Sequence, residues 1–289
     1  MVYESLVLLS EVVLSAYPLL IKRVDASVFF QTGLRMWIFT VLAAGAAAAT
    51  GSPLAAASLW SVESLATGFL NLVHVGASYT AFEQLPAGNA MALFYTYPVF
   101  NIIGAAALLG ESVPLSNIPW MILAFGGAVM LAQPTATNWT LVGVVCALIA
   151  ALTETFIYLW FKTRSGKEPD TQPWTKMIQM YGSSGVLWAL LAIGVGVFMT
   201  AKNTFRMSSG GLASIALFNT FIGFTGYALR FFLIPRVSTT VFSVLSFFGV
   251  VSAYVLGWLF QGETPNLVQM AGAAAIVLAN GVLMSKENS

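Results

Sequence analysis

Long apolar runs separated by short polar turns fill this chain from end to end, without the two-residue alternation of a half-buried strand. A helix needs about 20 residues to cross the hydrocarbon core of a bilayer. Read that way, the pattern predicts membrane segments at 3–21, 27–50, 60–82, 87–109, 115–132, 138–162, 174–198, 209–234, 239–260 and 265–284. Lys22-Arg23-Val24-Asp25 ends the first, Gly51-Ser52-Pro53 the second and Gln133-Pro134 the fifth. The longest polar connector runs from Lys162 to Pro173. Loops this short leave no room for a soluble catalytic domain.

One arrangement occurs twice. Leu85-Pro86-Ala87 opens an apolar run that contains Tyr97-Pro98-Val99-Phe100 and stops at Gly110-Glu111-Ser112-Val113-Pro114. Arg236-Val237-Ser238 opens another, which continues to Phe260 and stops at Gly262-Glu263-Thr264-Pro265. Glycine just past a helix end, with proline a few residues on, stops one helix and permits another to start. Glu111 and Glu263 are expected to be structural, their carboxylates accepting hydrogen bonds from the N–H groups that open the next helix. The repeat divides the chain into halves at 1–134 and 135–289. Five segments is an odd number, so two directly joined copies must cross the membrane in opposite senses. An inverted repeat of ten helices in an all-α membrane fold follows, with a site between the halves near the midplane.

Composition agrees. Of 289 residues, 58% are hydrophobic and 8% charged, too few charges to cover a water-facing surface. The formal net charge of +1 implies no pull toward nucleic acid. Cys146 is the single cysteine, which rules out an intrachain disulfide, and no zinc-ligand spacing occurs. Residues 1–20 carry Glu4, Glu11 and Pro18 and no basic leader, so they read as a first membrane helix rather than a signal peptide. With both ends inside, the inner loops hold Lys162, Arg164, Lys167, Lys176, Arg236 and Lys286, and the outer ones Lys22, Arg23, Lys202 and Arg206, which favours that orientation by a small margin. The sequon at Asn138-Trp139-Thr140 abuts a helix start and reads as chance. No GxxxxGK[ST] run is present, so no built-in ATP-driven pump is expected. Lysines are confined to loops and helix ends, against a retinal Schiff base.

Ionisable groups within the helices are few, and each is a candidate for function. Glu11 lies midway along the first segment and Glu154 well inside the sixth. Each opens one half of the repeat, so two carboxylates would flank one cavity, binding a cation or a proton. Tyr158, one turn after Glu154, shares its face and would add cation–π attraction. Arg35 is deep enough for a ligand contact or for a salt bridge to Glu11 or Glu154. Arg230, near a helix end, is expected to snorkel to the interface. His74 is either a proton shuttle or a packing histidine. Tyr17, Tyr95, Tyr97 and Tyr227 lie too deep for an interfacial belt and are candidates for lining a cavity, or for interhelical hydrogen bonds. Asn71 and Asn219 occupy related places in the halves and default to interhelical hydrogen bonding. Pro18 and Pro98 interrupt helix bonding and are candidate hinges.

Leu85-Pro86-Ala87, Tyr97-Pro98-Val99-Phe100, Gly110-Glu111, Gly126-Gly127 and the second Gly262-Glu263 together resemble the EamA-like branch of the drug/metabolite transporter superfamily, as do Lys22 and Arg35 as its early basic positions. The resemblance spans essentially the whole chain, with one departure: Val250 stands where a counterpart of Pro98 is expected. It implies a ten-helix inverted-repeat carrier that moves small metabolites by alternating access, commonly outward across the plasma membrane, with no cofactor and no metal. Two acids and many tyrosines then point to amino acids, amines or similar zwitterions. A phosphorylated or sugar solute is the alternative, and it would want more cavity arginines and lysines than Arg35 and Arg230. A membrane enzyme lacks the polar residues to assemble a site. A channel would show flux that does not saturate. Membrane lipid, a small solute and a coupling proton are the expected partners; the pattern carries nothing on oligomeric state.

Overall fold

The structure is a computed structural model that describes residues 2–52, 59–133, 139–165, 173–198, 204–262 and 264–286. The chain folds into helices: α1 Val2–Leu14, α2 Tyr17–Arg23, α3 Val28–Ala49, α4 Val62–Gln84, α5 Ala87–Phe94, α6 Tyr97–Leu109, α7 Ile118–Ala132, α8 Leu141–Ser165, α9 Trp174–Phe198, α10 Ser209–Phe218, α11 Phe224–Leu233, α12 Thr239–Ser246, α13 Phe248–Gln261 and α14 Leu267–Lys286. Among the described residues, eight stretches are long and apolar enough to cross a membrane, and Leu115–Leu131 is a shorter apolar helix. The 23-residue α4 is long enough, but it buries Thr67, Asn71, His74 and Ser78 toward the bundle interior, which lowers its apolarity.

Serine caps set several starts. Ser27, Ser61, Ser208 and Ser238 each stand just before a helix and accept from the backbone N–H three residues on, at 3.2, 3.1, 2.9 and 3.4 Å. The repeated glycines set two ends. Gly110 and Gly262 adopt φ of 68° and 72° and terminate α6 and α13, while the Glu111 N–H reaches back to the Ala105 carbonyl at 3.2 Å.

The bundle is apolar outside, and its largely hydrophobic core encloses a few ionisable groups. Leu9, Val41, Phe69, Ile103, Leu108, Ile122, Phe156, Leu190 and Phe221 face outward, while Glu11, Arg35, His74, Glu154 and Arg230 are buried. A membrane accounts for both observations: lipid replaces water around the rim, and ionisable groups turn toward each other. At the α7–α14 crossing, the backbones meet at Gly127 and Gly272, where an added Cβ on either would lie 2.6 Å from the other's carbonyl oxygen.

Several spans are broken near their middles. α1 gives way to α2 just before Pro18, and α5 to α6 just before Pro98, where each proline sits in the first turn of the new helix. α12 gives way to α13 at Phe247 although Val250 replaces the expected proline, so this break does not depend on one. Just past it Tyr95 packs closely: its hydroxyl fills the space a Cβ on Gly249 would need, 2.0 Å away. α10 and α11 are joined by a π turn at Asn219–Gly223.

Among the described residues, Glu111 caps no helix. A 3₁₀ turn at Leu115–Asn117 intervenes before α7, and Asn117 at its N-cap makes no side-chain cap bond. Glu111 instead lies within electrostatic reach of Lys162, whose Nζ donates to the Ile234 and Val237 carbonyls at 3.1 and 2.7 Å past the end of α11. Glu263, Pro134 and Asn138 lie outside the described residues.

Candidate functional site

The breaks converge. Glu11 lies one turn before the end of α1, Tyr17 just after it, Tyr95 between α5 and α6, Asn219 at the head of the π turn and Ser246 at the end of α12. Interrupted helices leave backbone groups and side chains pointing into the bundle, and that is where membrane carriers place their sites.

Four ionisable groups form a chain across the centre. Arg230 Nη1 donates to Glu11 Oε1, and Arg230 Nη2 lies 2.8 Å from Glu154 Oε1. Glu154 Oε2 is 3.4 Å from His74 Nε2. Glu11 also accepts from the Tyr95 hydroxyl at 2.7 Å and the Ser246 hydroxyl at 3.1 Å. Glu11, Glu154 and Arg230 are 0, 3 and 2% exposed. Arg230 thus binds acids from both halves of the sequence, and Tyr97 and Phe242 lie against its guanidinium at 5.0 and 5.2 Å. The snorkelling expected of Arg230 does not occur. Its helix, α11, packs on α1 opposite Glu11, and pairing costs a buried guanidinium far less than burial alone.

The backbone sets the tautomer of His74. Its Nδ1 faces the Ala150 carbonyl oxygen at 3.1 Å. A carbonyl only accepts, so Nδ1 carries a hydrogen, and a neutral ring then turns the Nε2 lone pair toward Glu154. At 3.4 Å, Nε2 and Glu154 Oε2 are close enough for a proton on either group to bridge them.

These groups line one cavity together with Tyr17, Arg35, Ser78, Phe94, Tyr95 and Tyr227. The open space is about 20 Å³, room for a water and no more, so any solute requires the lining helices to part. Arg35 pairs with neither Glu11 nor Glu154; among the described residues it makes no ion pair, because Arg230 already occupies both acids. It sits among aromatic rings instead, with Tyr227 and Tyr17 at 4.3 and 4.9 Å.

Other candidates fall elsewhere. Tyr158 does not flank Glu154 in the cavity. Four residues advance about 6 Å along a helix, and there its hydroxyl donates to Thr239 Oγ1 at 3.2 Å while its ring meets Phe242. Tyr97 is buried beneath Arg230, with its hydroxyl near Ser246. Asn71 joins α4 to α9 by donating to Ser184 Oγ at 2.9 Å. Asn219 accepts from the Tyr17 hydroxyl at 3.0 Å and donates to the Ile215 carbonyl at 3.0 Å. Sequence reasoning passed over Arg230 as the hub and Tyr79 as a neighbour of Arg35. For Arg230 a signal existed: it is one of only two arginines within the predicted segments, facing two acids in need of a partner.

Residues 1–133 match the model of the EamA-like transporter family. A riboflavin transporter of Rhizobium johnstonii is 30% identical, over 74% of this chain and 67% of the relative. The chain belongs to the EamA-like transporter family. As a member of it, the protein is an integral, multi-pass membrane transporter of small organic molecules rather than an enzyme, with lipid around it and a small solute as its cargo. It is also similar to the pseudopaline exporter CntI of Pseudomonas aeruginosa, at 24% identity over 74% of this chain and 72% of that one. The threonine/homoserine exporter RhtA of Escherichia coli is 26% identical over 70% and 64%. A crystal structure at 19% identity superposes with a TM-score of 0.68 over 97% of this chain and 95% of the other, so the fold is shared.

Proposed function

We propose that this EamA-like transporter is a secondary carrier of ten membrane segments in two inverted repeats, 1–134 and 135–289, which exports a small amino-acid-like metabolite by alternating access at the cavity around Arg230. Reciprocal packing supports the inverted repeat. α1 packs on α11 as α4 packs on α8, α3 on α9, α7 on α14, and α5 and α6 on α13 and α12. The first membrane segment of each half meets the third segment of the other, as a two-fold axis between the halves requires. The acid–base contacts follow the same scheme, Glu11 of α1 with Arg230 of α11 and Glu154 of α8 with His74 of α4. Export is the direction named for CntI and RhtA, and the plasma membrane is the proposed location.

The observation that carries the reading is the buried chain of alternating charge spanning both halves, broken by one titratable histidine. Arg230 of the second half holds Glu11 of the first, and Glu154 of the second half meets His74 of the first. A proton moving between His74 and Glu154 changes the contact across the halves and the bond of Glu154 to Arg230 together, which couples proton movement to opening. Glu11, Glu154, His74, Arg35, Tyr17, Tyr95 and Tyr227 are the proposed substrate or proton residues, and Pro18 and Pro98 the hinges. Glu111 has a structural role through Lys162. A phosphorylated solute is disfavoured, since Arg230 is already occupied by two carboxylates.

The test is reconstitution in liposomes with labelled amino acids, amines and sugars. Saturable uptake of one class, accelerated by the same solute on the far side, is expected, with accumulation driven by a pH gradient. Flux rising linearly with concentration would make the protein a channel and defeat the carrier reading.

A further inference from the structure

Arg35 is 1% exposed and lines the central cavity. Its Nη1 donates to the Tyr79 hydroxyl at 3.4 Å, while among the described residues Nε and Nη2 have no hydrogen-bond partner. The hydroxyls of Tyr181 and Tyr227 approach the same guanidinium without reaching hydrogen-bond geometry. Tyr17, Phe39, Tyr79 and Tyr227 surround it, with ring centroids 4.9, 5.1, 5.7 and 4.3 Å from Cζ. Ring faces offer some attraction to a cation but no counter-charge. Arginine cannot shed its proton, so the cage encloses a permanent charge with part of its donor fork unused. The two cavity carboxylates are no remedy, because Glu11 and Glu154 both bind Arg230.

We infer that Arg35 is the recognition point for a carboxylate on the transported solute, and that the substrate class is a zwitterion with one free carboxylate rather than a simple amine. The geometry separates the poles. Nε and Nη2 lie along one edge of a guanidinium and match the two oxygens of a carboxylate in a fork-to-fork contact. The rings hold the guanidinium plane and exclude water, which strengthens that contact. A phosphate dianion calls for more positive charge than one free arginine brings. A simple amine would add a second cation beside Arg35 and bring no group for its free donors, while both cavity acids already contact Arg230. A zwitterion adds no net charge, and its ammonium group has tyrosine ring faces and the Glu154 end of the same cavity to meet.

This inference rests on the cavity being the carrier's binding site, and the experiment keeps the two apart. Purified protein is screened for thermal stabilisation by matched trios: an amino acid, its methyl ester, and the amine lacking the carboxyl group. Threonine, leucine and phenylalanine head the trios, and counterflow in liposomes follows for every solute that binds. Free acids are expected to bind at least tenfold more tightly than their esters and amines. Arg35→Gln is expected to abolish that preference, and Arg35→Lys to keep part of it, since a lysine retains charge but loses the fork. Should Arg35→Gln fail to fold, the acid-to-ester ratio in the wild type and in Arg35→Lys decides. Equal binding of acid, ester and amine, or an Arg35→Gln protein that keeps the acid preference, overturns the carboxylate site while the carrier reading stands. Absence of saturable movement of any trio member or sugar by the wild type overturns both.

Discussion

Replacing Arg230 by methionine is the most direct perturbation of the central cluster. Methionine keeps a long, flexible apolar stem but strands Glu11 and Glu154, which are 0 and 3% exposed. Removing one partner of a buried ion pair costs about 3–5 kcal/mol. An independent route gives a similar figure. Each stranded carboxylate can escape by taking a proton, and at pH 7 that costs about 1.36 kcal/mol for each pH unit above the ordinary glutamate value near 4.3, or ~3.7 kcal/mol. Glu154 still faces His74, so one carboxylate, Glu11, carries most of the loss. Unfolding free energies measured by SDS titration in mixed micelles should fall by about 4 kcal/mol at pH 7. At pH 5 the deficit should shrink by about 2.7 kcal/mol, because the stranded carboxyl group is then cheaper to protonate. The sign follows from proton uptake: the folded variant binds a proton that the unfolded chain at pH 7 does not, so its stability is present at low pH and lost as pH rises. The triple variant Glu11→Gln, Glu154→Gln, Arg230→Met, which removes every charge of the triad, should recover most of the loss. An Arg230→Met protein as stable as wild type, or a deficit unchanged between pH 7 and pH 5, would refute this account of the cluster.

Three further outcomes are expected. Glu154→Gln and His74→Gln should each retain solute exchange at equal pH but lose accumulation driven by a pH gradient, measured as counterflow and uptake in liposomes; gradient-driven accumulation intact in both would remove this pair from coupling. Gly249→Ala should reduce transport and stability together, because its Cβ would meet the Tyr95 hydroxyl at 2.0 Å, and Tyr95→Ala in the same chain should relieve the stability loss in a melting assay. Gly110→Ala forces a side chain into φ of 68° and should destabilise by about 1–2 kcal/mol with substrate affinity unchanged; a loss of affinity in a stable Gly110→Ala protein would contradict a purely structural role for that turn.

The sequence alone determined what depends on neighbours along the chain. Apolar length decided that helices cross a membrane, because no other open structure satisfies its backbone there. Gly110 and Gly262 announced helix ends, since a left-handed residue is a local demand, and Pro18 and Pro98 announced breaks for the same reason. Glu11, Glu154, Arg35 and His74 stood out because charge inside a helix is costly wherever the helix lies. Tertiary structure decided who meets whom. Arg230 looked like an interfacial residue because its distance from a helix end is visible in sequence and its partner is not: Glu11 lies 219 residues away. The break at Phe247 had no proline to signal it, and the close packing of Tyr95 on Gly249 beside it is a contact between distant parts of the chain. Tyr158 shares a helix face with Glu154, yet its hydroxyl reaches Thr239 at the start of α12 and not the cavity. Most consequential is the division of labour between the arginines. Composition counts two cations and two acids, but only packing places both acids on Arg230 and leaves Arg35 with donors unused, because in a low-dielectric interior a charge answers to the nearest opposite charge, and nearness there is set by how the helices cross.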